Sequence, residues 1–138
     1  MLLGTRRYIA GLDRLEALTA FVEACAVSAG LVDPVRSRLL LAAEESFVNI
    51  CNHAYPETAG EAEISCVREG DCFVLTIADT GIPFDMLSLP PPDTSVGVME
   101  RAVGGLGIHF IRTLSDGVSY RREQDRNVLR VTFRITGQ

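Results

Sequence analysis

The apolar and polar positions divide the chain into recognisable elements. Leu2 to Ala10 alternates poorly and predicts a short edge strand. Leu15, Leu18, Val22 and Cys25 then recur at helical spacing, Asp13 and Glu16 stand three apart in the manner of a capping box, and Gly30 occupies the place of a C-terminal cap. A second helix is signalled more clearly. Asp33 is its candidate N-cap, Pro34 suits its first position, and Val35, Leu39, Ala43, Phe47, Ile50 and Ala54 follow at steps of three or four. It should run to about His53, ahead of Pro56.

The period then changes to two. Ala62, Ile64 and Cys66 alternate with Glu61, Glu63 and Ser65, Glu69-Gly70-Asp71 reads as a turn, and Cys72 to Ala78 reads as a more buried partner strand. From Asp79 to Gly107 the pattern dissolves into Gly, Pro and polar residues, including Pro90-Pro91-Pro92. A stretch of this length inside a small domain predicts a functional loop, read as a lid over about 86–103. Leu106 to Leu114 resumes a helix, and Val118 to Arg122 with Val128 to Ile135 predicts a last hairpin around Gln124-Asp125-Arg126-Asn127. Helices grouped apart from consecutive antiparallel strands imply an α+β, two-layer sandwich, with three helices on one face of a mixed or antiparallel sheet.

Composition narrows the function classes. The 138 residues are 47% hydrophobic, enough for a core in one domain spanning 1–138 but not for two. Thirteen Lys and Arg stand against 18 Asp and Glu, a formal net charge of -5 with no basic block, so the chain offers nothing for direct nucleic-acid or anionic-membrane binding. Its longest apolar runs, such as Leu39 to Ala43, fall far short of the roughly 20 residues of a membrane span, and Arg6, Arg7 and Asp13 interrupt any secretory segment. A cytoplasmic location is expected. Cys25, Cys51, Cys66 and Cys72 contain no C-x-x-C pair, and with only His53 and His109 to assist them they predict buried free thiols rather than a zinc site or disulfides.

Three polar constellations carry candidate chemistry. Glu45 and Asn49, four apart, project from one face of the second helix, and Asn52 and His53 continue it. The carboxylate can accept a proton from an attacking hydroxyl, and the neutral amide oxygen suits Mg²⁺; the same spacing also describes an ordinary solvated helix face. Asp79-Thr80-Gly81-Ile82-Pro83-Phe84-Asp85 follows a buried strand, where an acid can accept the exocyclic amino group of a purine and Gly81 lets the backbone approach the ring. Asp-x-Gly is equally common turn chemistry. Gly104-Gly105-Leu106-Gly107 precedes the last helix, where backbone N–H groups and the helix dipole favour phosphate oxygens.

In order and spacing, Glu45-Ser46-Phe47-Val48-Asn49-Ile50-Cys51-Asn52-His53-Ala54-Tyr55, the Asp79 to Asp85 segment and Gly104-Gly105-Leu106-Gly107-Ile108 resemble the asparagine box and two glycine boxes of the GHKL ATPases. Within that superfamily the chain is most similar to the small anti-sigma-factor serine/threonine kinases of the RsbW and SpoIIAB type. The resemblance spans nearly the whole chain, including Leu114-Ser115-Asp116-Gly117-Val118-Ser119-Tyr120-Arg121-Arg122. It implies a Bergerat ATP-binding fold, with ATP and Mg²⁺ as cofactors. By position, Glu45 would be the general base toward a serine of a partner protein, Asn49 the Mg²⁺ ligand, Asp79 the acceptor for the adenine amino group, and Gly81 a shaper of the adenine pocket. Gly104, Gly105, Leu106 and Gly107 would meet the phosphates, and His53 would orient or pack rather than catalyse.

The departures from the family pattern are local. Pro83 stands where many GHKL ATPases have a second glycine. Val103 lies where an arginine is usual, which leaves Arg101 as the candidate γ-phosphate contact. Arg126-Asn127 replaces the Gly-Thr pair common before the final strand, and with it the hydroxyl beside the adenine. Glu44, His109 and Arg121-Arg122 read as solvated or packing residues. The resemblance implies a kinase that sequesters a sigma factor, phosphorylates an anti-sigma-factor antagonist of the STAS type and is capable of forming a homodimer; an ATP-responsive binding module without kinase activity is the alternative.

Overall fold

Within the residues that the computed structural model describes, 1–55, 60–85, 87 and 107–135, the alternating segments form a single sheet. Strands β1 (Leu2–Ile9), β2 (Glu61–Glu69), β3 (Cys72–Asp79), β4 (Gly117–Glu123) and β5 (Arg126–Arg134) stand in the order β1-β2-β3-β5-β4. Every neighbouring pair is antiparallel, so the sheet is antiparallel rather than mixed. β1 is an edge strand, as its weak alternation predicts.

Both hairpin turns have two residues. Gly70 takes the left-handed φ of +61° that opens the β2–β3 turn, as its sequence anticipates. The β4–β5 turn is tighter than the sequence suggests. Gln124 and Asp125 make it alone, at φ of 51° and 63°, while Arg126 and Asn127, expected in the turn, pair with Glu123 and Arg122 as strand residues. The right-handed twist of the strands favours this compact connection over a four-residue one.

Helices α1 (Leu15–Ser28), α2 (Val35–Asn49) and α3 (Gly107–Leu114) pack on one face of the sheet, completing the α+β sandwich. Strand positions of one parity meet them: Ala62, Ile64 and Cys66 of β2, Phe73, Leu75 and Ile77 of β3, and Leu129, Val131 and Phe133 of β5 are all buried. Leu18 and Val22 of α1, Leu39 and Phe47 of α2, and Ile111 of α3 close the core from above. The opposite parity faces out with Glu61, Glu63, Arg126 and Arg130, which is how an antiparallel sheet tolerates water on one side.

Helix ends differ in how they follow the sequence. Asp13 makes no side-chain cap to α1, because a 3-10 turn, Leu12–Arg14, leads into the helix and its backbone bonds satisfy the entering N–H groups. Gly30 ends α1 at φ +86°, with Leu31 N donating to Ala26 O in a Schellman-like closure. At α2 the N-cap is Pro34, expected as the first helical residue, and Asp33 stands one residue ahead of it, with its Oδ1 accepting from Ser37 N at 3.1 Å and from the Ser37 hydroxyl. All four cysteines are free thiols, but only Cys25 and Cys66 are buried; Cys51 and Cys72 are half-buried. No described helix is long and apolar enough to cross a membrane.

Candidate active site

The site grows from the C-terminal end of α2. The helix follows the predicted path to Asn49, then widens into a π-helical turn, Ile50–Ala54, a distortion frequent at functional sites. Asn49 is completely buried. Its Nδ2 donates to the backbone carbonyl of Glu45 at 3.0 Å, and its Oδ1 is enclosed with no hydrogen-bond partner among the described residues. A buried neutral oxygen without a donor is costly unless something else satisfies it. A hard cation does so, and amide oxygen is among the ligands such cations take.

Glu45, one turn earlier, is half-buried. Burial, and secondly the neighbouring charge of Glu44, push its carboxyl above the ordinary value, which makes it a stronger base than a solvated glutamate. Glu44 itself keeps partial contact with solvent, in line with its sequence reading. It is half-buried and lines a cleft of about 660 Å³ with Leu12, Asp13, Leu15 and Glu16.

The π-turn joins α2 to the loop after β3. Ile82 N donates to Ala54 O at 3.0 Å, and the rings of His53 and Phe84 stack with centroids 4.6 Å apart. Gly81 lies so close to the same turn that an added Cβ would sit 2.3 Å from Ala54 O, so only glycine fits. Asp79, the last residue of β3, is buried at that junction, with Oδ1 accepting from Gly81 N at 2.9 Å and from Asn127 Nδ2 at 2.9 Å. Burial raises its carboxyl pKa, and the donors from Asn127 and Gly81 oppose that rise. Tyr55 braces the loop, its hydroxyl donating to Glu61 O at 2.7 Å and accepting from Thr80 N at 2.9 Å.

The structure therefore brings the Glu45–Asn49 face and the Asp79–Gly81 loop to adjoining parts of one framework through Ala54. Gly107 begins α3, which packs on α2. Gly104, Gly105, Leu106 and Arg101, together with the lid over 86–103 apart from Leu87, lie outside the described residues, as does the side chain of His109. Two site residues escape sequence reasoning. Arg122, read as a strand-edge residue, donates to Gly81 O at 2.9 Å, and Asn127 replaces the expected hydroxyl with an amide bound to Asp79. The departure from the Gly-Thr pair was the one signal that could have pointed to Asn127. A cavity of about 300 Å³ also touches Asp79, but its charged lining, Glu61, Glu63 and Arg126, belongs to the open face, whereas pairing places the Asp79 side chain on the helical face with Ala62 and Asn127.

A family model described as the histidine kinase-like ATPase domain matches residues 9–133. The chain belongs to that family. Among curated relatives it is 32% identical over 97 residues to the serine-protein kinase RsbW of Bacillus thuringiensis subsp. konkukian and to that of Bacillus cereus. Each alignment covers 67% of this chain and 61% of the relative, so the match spans less than two thirds of the relatives' own length. Among solved structures, the histidine kinase AdeS of Acinetobacter baumannii superposes with a TM-score of 0.50 and 16% identity, covering 96% of this chain and 68% of that one, a likeness of fold. As a histidine kinase-like ATPase domain the chain is implied to use ATP, and the orphaned Asn49 oxygen is a residue-level fit to the Mg²⁺ that usually accompanies it.

Proposed function

We propose that this chain is an ATP- and Mg²⁺-dependent protein serine/threonine kinase and anti-sigma regulatory factor, which holds a sigma factor and phosphorylates a STAS-type antagonist. The observation that carries the reading is the buried, unpartnered Oδ1 of Asn49 one helical turn from the half-buried carboxylate of Glu45. The RsbW relatives, named serine-protein kinases, supply the substrate class.

In this reading Asp79 accepts the exocyclic amino group of adenine, Gly81 shapes the adenine pocket by letting its loop pack against Ala54, and Asn49 Oδ1 would hold Mg²⁺. The cation's contribution is to offset negative charge on the phosphates. Glu45 accepts the proton of a partner serine as its oxygen attacks the γ-phosphorus; the new P–O bond forms as the bond to the β-phosphate oxygen breaks, and ADP leaves with that electron pair. The raised pKa of Glu45 brings its proton affinity nearer to neutral pH, the range in which a general base is most effective. Gly104, Gly105, Leu106 and Gly107 are assigned to the phosphates and Arg101 to the γ-phosphate.

The test is incubation of the chain with Mg-ATP and the STAS protein encoded nearest its gene, followed by mass measurement of both. One added phosphate on the STAS protein is the expected result. Saturable Mg-ATP binding with no mass gain would instead establish the ATP-responsive binding module, and absence of binding would defeat both.

A further inference from the structure

Asn127 lies in β5 directly opposite Asp79 in β3. The residue is 5% exposed, and all four hydrogen-bonding capacities of its side chain are used. Nδ2 donates to Asp79 Oδ1 at 2.9 Å and to Ile82 O at 2.8 Å. Oδ1 accepts from Phe84 N at 3.1 Å and from the Tyr120 hydroxyl at 2.6 Å. The amide has one workable orientation. A flip would set its oxygen against Ile82 O and a carboxylate, and its NH₂ against the Phe84 N–H.

The consequence falls on Asp79. Both hydrogen bonds that hold its carboxylate end on Oδ1, from Gly81 N and Asn127 Nδ2, so among the described residues Oδ2 is the oxygen left for a ligand. A carboxylate pinned this way offers an acceptor and no donor. It suits a purine bearing a 6-amino group and opposes one bearing a 6-oxo group, whose oxygen would meet it as a second acceptor. The same amide grips the loop at Ile82 and Phe84, so the pocket wall and the acceptor share one support. A hydroxyl, with one donor proton, cannot donate to both Asp79 and Ile82.

We propose that Asn127 is the positioning residue that sets purine selectivity, fixing Asp79 so that this site takes 6-amino and rejects 6-oxo nucleotides. The inference rests on the nucleotide site proposed above. Its experiment compares binding of ADP and of inosine diphosphate, the 6-oxo analogue, to the full chain with Mg²⁺, by calorimetry. Wild type should favour ADP by roughly 10- to 100-fold, the range of a hydrogen bond to a charged group. Asn127→Ala should reduce that ratio at least about fivefold, because the freed carboxylate can turn. Any loss of folded protein affects both ligands equally and cancels in the ratio; should Asn127→Ala not fold, Asn127→Leu, which fills a similar volume and has no donor, is read in the same way.

Asn127→Asp supplies a readout that a merely structural role would not move. At pH 8 it sets a carboxylate against Asp79 and should abolish the preference. At pH 6 one proton shared by the pair restores a donor toward Asp79, and the preference should return. Wild type that binds neither nucleotide overturns the nucleotide site itself. Wild type that prefers ADP, with Asn127→Ala keeping the full ratio or Asn127→Asp behaving alike at both pH values, overturns the role of Asn127 alone.

Discussion

The side-chain amide of Asn49 donates to the Glu45 backbone carbonyl at 3.0 Å, which ties the amide to the preceding turn and leaves its Oδ1 buried without a partner among the described residues. The bond gives the oxygen a fixed position before any ligand arrives, and preorganisation of this kind lowers the ordering cost of binding. Asn49→Ala should therefore weaken Mg²⁺-dependent ADP binding by at least the roughly tenfold that loss of even an outer-shell partner costs at a metal site. Titrations with Mg²⁺ and with EDTA check it: wild type should separate the two conditions, and the variant should not. Equal Mg²⁺ enhancement in both proteins would remove Asn49 from the metal site.

Glu45→Gln keeps the size of the side chain and removes the base. Mg-ATP affinity should stay within about twofold of wild type, while phosphate transfer to the STAS protein falls by roughly 10²- to 10⁴-fold, the usual worth of general-base catalysis. Single-turnover transfer with bound ATP separates the two effects. Transfer at the wild-type rate would end the assignment.

Burial raises the carboxyl of Asp79 above its ordinary value of 3.8, so as pH falls the folded protein takes up this proton before the unfolded chain does. Its contribution to stability is thus fully present below 3.8 and is lost as pH rises through the folded value. Urea unfolding of wild type and Asp79→Asn across pH 3.5 to 8 should show wild type gaining relative to the variant toward acid. The same substitution should weaken ADP binding at pH 7.5, since an amide cannot replace both carboxylate oxygens as acceptors. A stability difference that stays flat with pH would contradict the raised value.

Gly81→Ala places a methyl carbon 2.3 Å from Ala54 O. Relief requires the loop to move off the π-turn, which strains the Ile82 N to Ala54 O bond and the His53–Phe84 stack. The expected cost is about 1–3 kcal/mol in chemical denaturation, with a parallel loss of nucleotide affinity. Unchanged stability would show that the loop is not held against Ala54.

Much of the architecture is legible in local pattern. The 3.6-residue recurrence from Val35 to Ala54 marks the helix that carries Glu45 and Asn49, and the two-residue alternation from Ala62 to Cys66 marks a half-buried strand. Asp13 misleads, because a capping box and a 3-10 entry use the same residues and the choice depends on how the preceding strand delivers the chain. Arg126 and Asn127 mislead similarly. Polar residues between two strands read as a turn, yet the flanking pairing absorbs both. Arg122 resembles any charged edge residue until the glycine loop is seen beneath it.

By itself the order of residues determined the elements, their faces, the family and the sequence of the polar constellations, since each depends on neighbours within a few positions. Only the folded sheet decided that Asn127 stands opposite Asp79, 48 residues away in sequence, and that Ala54 meets Gly81. Those meetings depend on strand register. A slip of one residue would turn every side chain to the other face, and burial of the whole core is what prevents it.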